Sequence, residues 1–175
     1  MKTLILLAAL GVLATATEAR ATQVGSSRLA GVGFSLGEPT GVVGKLFLGS
    51  ENAVDAGVSL YGFSGYCRDK GNKNFDQCSG GSRIAVNMDY LWQYNLLPGD
   101  VRLDWHIGAG GRVWLWSGDS NSGNLAMAAR MPIGLDLMPA KPDILEFFIE
   151  LTPTFYLAPG QQLDLEGAIG VRFYF

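Results

Sequence analysis

Histidine is nearly absent from this sequence: His106 is the only one in 175 residues, and cysteine occurs twice, at Cys67 and Cys78. Structural zinc sites need four closely spaced ligands drawn largely from Cys and His. One histidine and one cysteine pair exclude that arrangement, and neither a metal nor any other cofactor is expected. An excess of basic charge is missing too. The formal net charge is −3, and loss of Lys2, Glu18 and Arg20 with an N-terminal segment would take it to −4, which leaves no electrostatic footing on nucleic acid. Beyond the first residues there is no run of about 18 apolar residues, so no helix is expected to cross a membrane. Helix-length 3.6-residue periodicity is absent as well.

What is present begins at the N-terminus. Met1 and Lys2 precede an apolar run from Leu4 to Ala14, followed by Ala19-Arg20-Ala21. A basic start, a short apolar stretch and small residues around a cleavage point are the marks of a secretory signal peptide. Residues 1–21 are expected to be removed, leaving residues 22–175 as a single domain. An exported chain meets an oxidising compartment, so Cys67 and Cys78 in "CRDKGNKNFDQC" are expected to pair and staple a polar loop.

The rest divides into eight runs of alternating character, near 28–37, 41–50, 53–65, 81–96, 100–116, 124–138, 143–158 and 162–175. They are separated by turn-forming stretches such as "GEPTG", "LPGD", "SGDSNSGN" and "APGQQ". Period-2 alternation with no intervening helix predicts antiparallel neighbours. In the fourth run Ile84, Val86, Met88, Tyr90, Trp92 and Tyr94 share one face, while Arg83, Asn87, Asp89 and Gln93 share the other. The seventh opposes Leu145, Phe147, Ile149 and Leu151 to Glu146, Glu150, Thr152 and Thr154.

A soluble lipocalin-like barrel, a carrier of apolar ligands, would turn the apolar faces inward, whereas a transmembrane barrel turns them to lipid. Both give the same alternation. Three features favour the transmembrane form, an all-β, eight-stranded antiparallel up-and-down barrel. Six runs have 13 or more residues, against roughly 5 or 6 in soluble sheets. The aromatics Tyr90, Trp92, Tyr94, Trp105 and Phe147 fall at one rim under antiparallel alternation, as an interfacial girdle does. The connections also alternate between short and long, with the cysteine segment among the long ones.

The chain closes on "AIGVRFYF", with Ile169, Val171, Phe173 and Phe175 on one face. This ending resembles the C-terminal signal by which the barrel-assembly machinery recognises outer-membrane β-barrels. Together with "GVGFSLGEPTGVVGKLFL", "IGAGGR" and "MPIGLDLM", it is similar to a family of small eight-stranded outer-membrane barrels with members in Gram-negative bacteria and spirochaetes. The resemblance implies a bacterial outer-membrane location and contact with outer-membrane lipids. For spirochaete members it also implies binding of host proteins, a role that maps onto no particular residue here.

By parity, the lumen is expected to hold Lys45, Arg83, Arg102, Arg112, Arg130 and Arg172 against Asp55, Asp89, Asp104, Asp136, Glu146, Glu150, Asp164 and Glu166. Near balance of sign predicts a salt-bridge network that fills the bore rather than an open pore, since buried charges persist beside partners. Catalysis would have to use His106, with no serine placed beside it by sequence. Glu146 and Glu150 stand roughly 13 Å apart along one strand, too far to share a proton. No enzyme is expected. "GAGGR" opens no helix and so is no phosphate loop; close packing or a bulge is expected there, with a bulge able to redirect Trp114 and Trp116. Pro132 and Pro153 each remove a ladder donor, and a bulge is expected at each. Function then falls to the loops: a structural or surface-interaction role, with residues 65–80 as the contact for an extracellular protein. A small pore or solute transporter is the second reading.

Overall fold

The computed structural model describes residues 23–61, 66–68, 75–77, 82–97, 101–117, 125–158 and 160–175. Residues 1–21 and Cys78 lie outside this set, as does the side chain of Cys67, so the expected signal segment and disulfide both fall outside the described residues. In chain order the strands are β1 (Ala30–Gly37), β2 (Thr40–Phe47), β3 (Asn52–Tyr61), β4 (Tyr66–Arg68), β5 (Phe75–Gln77), β6 (Ser82–Leu97), β7 (Val101–Ser117), β8 (Leu125–Arg130), β9 (Ile133–Pro139), β10 (Leu145–Ala158) and β11 (Gln162–Tyr174). No helix occurs among the described residues.

Every strand of the main sheet pairs antiparallel with its neighbours, and β11 returns to β1, from Gly31 opposite Tyr174 to Gly37 opposite Ala168. That seam closes the sheet into a ring. β8 and β9 both lie between β7 and β10 and act as one interrupted strand, so the ring has eight strands. Among the described residues β4 and β5 pair only with each other, Cys67 opposite Asp76, within the connection from β3 to β6. The start of β1 and the end of β11 share one rim, here the near rim, which has the connections 48–51, 98–100 and 140–144. The far rim carries the long connections 62–81 and 118–124.

The faces are inverted relative to a soluble barrel. Phe34, Leu36, Met88, Ile149, Leu151, Leu163, Leu165 and Ile169 are exposed outside, while Lys45, Asp89, Asp136, Glu146 and Arg172 are buried within. Water would leave that outer surface unfavourably hydrated, whereas a bilayer matches it. In a bilayer the closed ring also leaves no unpaired strand edge in hydrocarbon.

Two local expectations are corrected. The sixth run is not continuous, because Met131 and Pro132 separate β8 from β9. Yet neither proline introduces a bulge. Gly110 faces Arg130 and Ile107 faces Ile133 in one unbroken register with β7, Thr154 faces Arg130 and Leu151 faces Ile133 in another with β10, and Pro153 stands opposite Leu165 without a shift. The reason is that each proline gives up only its own donor. Gly108 N–H still donates to the Pro132 carbonyl at 2.8 Å, and Met131 N–H to the Pro153 carbonyl at 3.0 Å. The register slips elsewhere, at Thr40/Gly41, Asn95/Leu97 and Tyr156/Ala158.

Close packing, not a bulge, accounts for "GAGGR". The β6–β7 register runs straight through it, and a Cβ on Gly108 would lie 2.6 Å from Leu91 and 3.0 Å from Pro132. Trp114 therefore keeps its luminal parity, buried and stacked on Tyr156 at 5.1 Å. The side chain of Trp116 lies outside the described residues.

Candidate functional site

The lumen is packed with ionic side chains because alternate residues of every strand point into a bore only wide enough to be filled by them. Near its centre, Asp136 on β9 receives three donors on one oxygen: Lys45 Nζ at 2.8 Å, Gln93 Nε2 at 2.8 Å and His106 Nδ1 at 2.9 Å. An ionised carboxylate only accepts, so the Nδ1 atom of His106 carries the hydrogen. The ring has room because position 134 is glycine: a Cβ there would sit 2.6 Å from His106 Cε1. Lys45 also reaches Glu146 at 3.3 Å, and the Tyr174 hydroxyl donates to the same Glu146 oxygen at 2.7 Å. Arg172 spans Glu146 and Asp55, with its guanidinium 3.9 Å from the centroid of the Phe148 ring.

A second group lies toward the far rim. Glu150 accepts from Thr152 Oγ1 at 2.7 Å and Arg130 Nη2 at 3.3 Å, and its other oxygen is 3.6 Å from His106 Nε2. His106 is thus the link between the two groups. Arg130 further approaches Asp89 at 3.5 Å and Glu166 at 3.7 Å, while Asn87 donates to Asp89 at 3.1 Å. Arg112 lies 2.9 Å from Glu166 and 3.5 Å from Glu38. At the near rim the half-exposed Arg102 is 2.6 Å from Asp104, which also accepts from Asn95 at 2.9 Å.

The balance of sign differs from the sequence expectation. Among the described residues the buried set has four cations, Lys45, Arg112, Arg130 and Arg172, against eight carboxylates. Asp164 is only half-buried and bonds to the neighbouring Leu165 N–H. The side chain of Arg83 lies outside the described residues. Glu38, which sequence parity missed, enters from the turn between β1 and β2 and is buried. Among the described residues the buried set therefore has more carboxylates than cations, with Asp104 paired to the half-exposed Arg102 and with His106 as an additional nitrogen base.

Chemically, the described polar side chains are engaged with one another. Both nitrogens of His106 face carboxylates, and the Ser35 hydroxyl is engaged by the Pro39 carbonyl at 2.6 Å. Among the described residues no group of three or more His, Cys, Asp or Glu side chains could hold a metal ion. A cavity of about 10 Å³ between Asp55, Asn87, Arg130, Glu150 and Arg172 has room for one water molecule.

On the outer face, Tyr90, Trp92, Tyr94 and Phe147 are exposed and Trp105 is half-exposed. Tyr94 stacks on Trp105 at 4.8 Å, and Tyr90 meets Trp92 edge-on at 5.2 Å. Ile169, Phe173 and Phe175 are exposed on the same side of the wall as Val171, while Arg172 and Tyr174 turn inward.

No protein-family model matches the sequence, and no curated protein matches it. Among solved structures, the chain is similar to the N-terminal β-barrel domain of Pseudomonas aeruginosa OprF, with 12% sequence identity, a TM-score of 0.54, and coverage of 83% of this chain and 95% of that one. At that identity the likeness speaks for the fold, and the chain is an eight-stranded antiparallel β-barrel with an apolar exterior and a charged interior.

Proposed function

We propose that this protein is a bacterial outer-membrane barrel with a filled, polar lumen, and that it acts as a structural or surface-interaction protein rather than an enzyme. The observation that carries this reading is the luminal network itself. Arg172, Glu146, Lys45, Asp136, His106, Glu150 and Arg130 follow one another at ion-pair distance through the bore, so that each of these charged side chains is held by a neighbour rather than poised to act on a solute. The apolar exterior supports a lipid partner. The exposed Ile169, Phe173 and Phe175, with Val171, support recognition by the barrel-assembly machinery, in keeping with the resemblance to small outer-membrane barrels. Residues 1–21 would direct export, and the segment 65–80, stapled through Cys67 and Cys78, would be the contact for an extracellular protein. A pre-stapled loop loses less entropy on binding than a free one.

The acidic excess favours one alternative, a narrow cation-selective pore, because carboxylates line whatever path exists. One experiment separates the two. Wild type and a variant lacking residues 69–76 are reconstituted into planar bilayers and, in parallel, tested for binding to host-cell or matrix proteins. Loop-dependent binding without steady conductance is expected; steady conductance in both, with no loop-dependent binding, identifies a pore instead.

A further inference from the structure

We propose that residues 23–28 form a plug, separate from the barrel wall, that seals the near mouth of the lumen. Val24 precedes the first ring strand, yet it is 0% exposed. Its surroundings are Phe47, Ala53, Leu91, Met138 and Tyr174, one apolar residue each from β2, β3, β6, β9 and β11. Five strands of a ring that points many charges inward thus turn four apolar side chains and the ring of Tyr174 toward the same spot. That is a socket, and its occupant is this chain's own valine.

The segment is built to be inserted. The Gln23 carbonyl accepts from the N–H groups of Ser26, Ser27 and Arg28 at 3.1, 3.1 and 3.0 Å, and Gly25 N–H donates to the Arg28 carbonyl at 2.9 Å. The turn therefore satisfies these backbone groups before it meets the apolar socket. Gly25 has φ +75, in the region that favours glycine. Arg102 and Arg28 help to tie the turn to the wall. Arg102 Nη1 donates to the Val24 carbonyl at 3.1 Å while its other nitrogens hold Asp104, and Arg28 faces Asp143 of the 140–144 connection at 4.0 Å.

The two ends of the bore therefore differ. Toward the far rim an apolar cluster of Ala85, Trp114, Ala126, Ala128 and Tyr156 belongs wholly to the wall. At the near rim part of the closure is a turn that can leave without breaking any strand pairing of the ring. Its release would admit water to Met138 and then to the Asp136–Lys45–Glu146 group behind it. This holds whatever the far-rim loops bind.

The test is thiol protection in a Cys67→Ser/Cys78→Ser background, with the folded barrel checked in each variant by its heat-modifiable migration. Val24→Cys and Met138→Cys are each exposed to a charged, water-soluble thiol reagent in detergent micelles. With the plug seated, both thiols are expected to react at least roughly tenfold more slowly than in the urea-unfolded protein. Deleting residues 23–27 from the Met138→Cys barrel is expected to raise its rate by roughly tenfold. Val24→Cys labelling as fast as the unfolded chain, or Met138→Cys labelling equally slow with and without the segment, overturns the proposal. If the shortened barrel does not assemble, the Val24→Cys rate, measured with and without Arg102→Ala, decides alone: protection that Arg102→Ala releases supports the plug, and a rate that does not respond refutes it.

Discussion

Replacing Arg172 with methionine removes one cation from between two buried carboxylates, and the two do not suffer equally. Glu146 keeps Lys45 at 3.3 Å and the Tyr174 hydroxyl at 2.7 Å. Asp55 loses the one ion-pair partner seen for it among the described residues. Methionine fills much of the vacated volume against Phe148, so the cost is chiefly electrostatic. Breaking a buried pair by removing one partner typically costs about 3–5 kcal/mol; because Glu146 stays compensated, about 3 kcal/mol is expected here, nearly all of it from Asp55. Urea unfolding in micelles, followed by tryptophan fluorescence, reads this as a lowered midpoint at unchanged slope. The decisive arm is the double variant Arg172→Met/Asp55→Asn, which should recover about 2 kcal/mol of the loss because the stranded charge is gone. A loss under about 1 kcal/mol for the single variant, or no recovery in the double, refutes the reading of Arg172 as the counter-charge of Asp55.

Phe173→Ser/Phe175→Ser is expected to reduce the fraction of heat-modifiable barrel in outer-membrane preparations, since both side chains lie on the apolar face of the closing strand; normal assembly would remove the basis for an assembly signal there. Pro132→Ala should be close to neutral in the same urea assay. A restored donor toward Gly108 adds about 0.5–1.5 kcal/mol, and the freer unfolded chain takes back about 0.4–1 kcal/mol, so a loss above about 2 kcal/mol would mean that the proline ring packs in a way its continuous register does not suggest. Without reductant, Cys67 and Cys78 are expected to give no titratable thiol in the exported protein, and a free thiol would leave the 65–80 loop unstapled.

Alternation made the ring legible in the sequence. The two faces of Ile84 to Tyr94 and of Leu145 to Leu157 differ consistently in polarity; run length, aromatic placement and connection length turn the apolar face outward, and most of the luminal ions then follow from parity. Parity reaches no further than strands, however. Glu38 sits in a turn, where no alternation assigns a side, and the stretch 23–28, "QVGSSR", carries one apolar residue in six. Neither could be placed without the closed ring around it. The prolines misled for a different reason: a missing donor was expected to displace the ladder, but a pair that retains its second hydrogen bond keeps its alignment. Which arginine meets which carboxylate also escapes the sequence, because it depends on the stagger of strands across the bore.

The position of Arg172 on β11 has a consequence for the order of assembly. Asp55 lies on β3 and Glu146 on β10, both earlier in the chain, and the guanidinium that spans them arrives on the last strand. Until that strand docks, Glu146 has Lys45 but Asp55 lacks its ion-pair partner among the described residues, so a ring lacking its final member resists dehydration of its interior. Docking and neutralisation then coincide. Misalignment is penalised in the same step, because a slip of one residue along β1 would turn Arg172 into lipid and Phe173 into the bore, and a slip of two would carry the guanidinium about 7 Å from both acids. The final strand thus proofreads its own alignment by charge, and the ring that persists is the one in which Arg172 stands opposite Gly33.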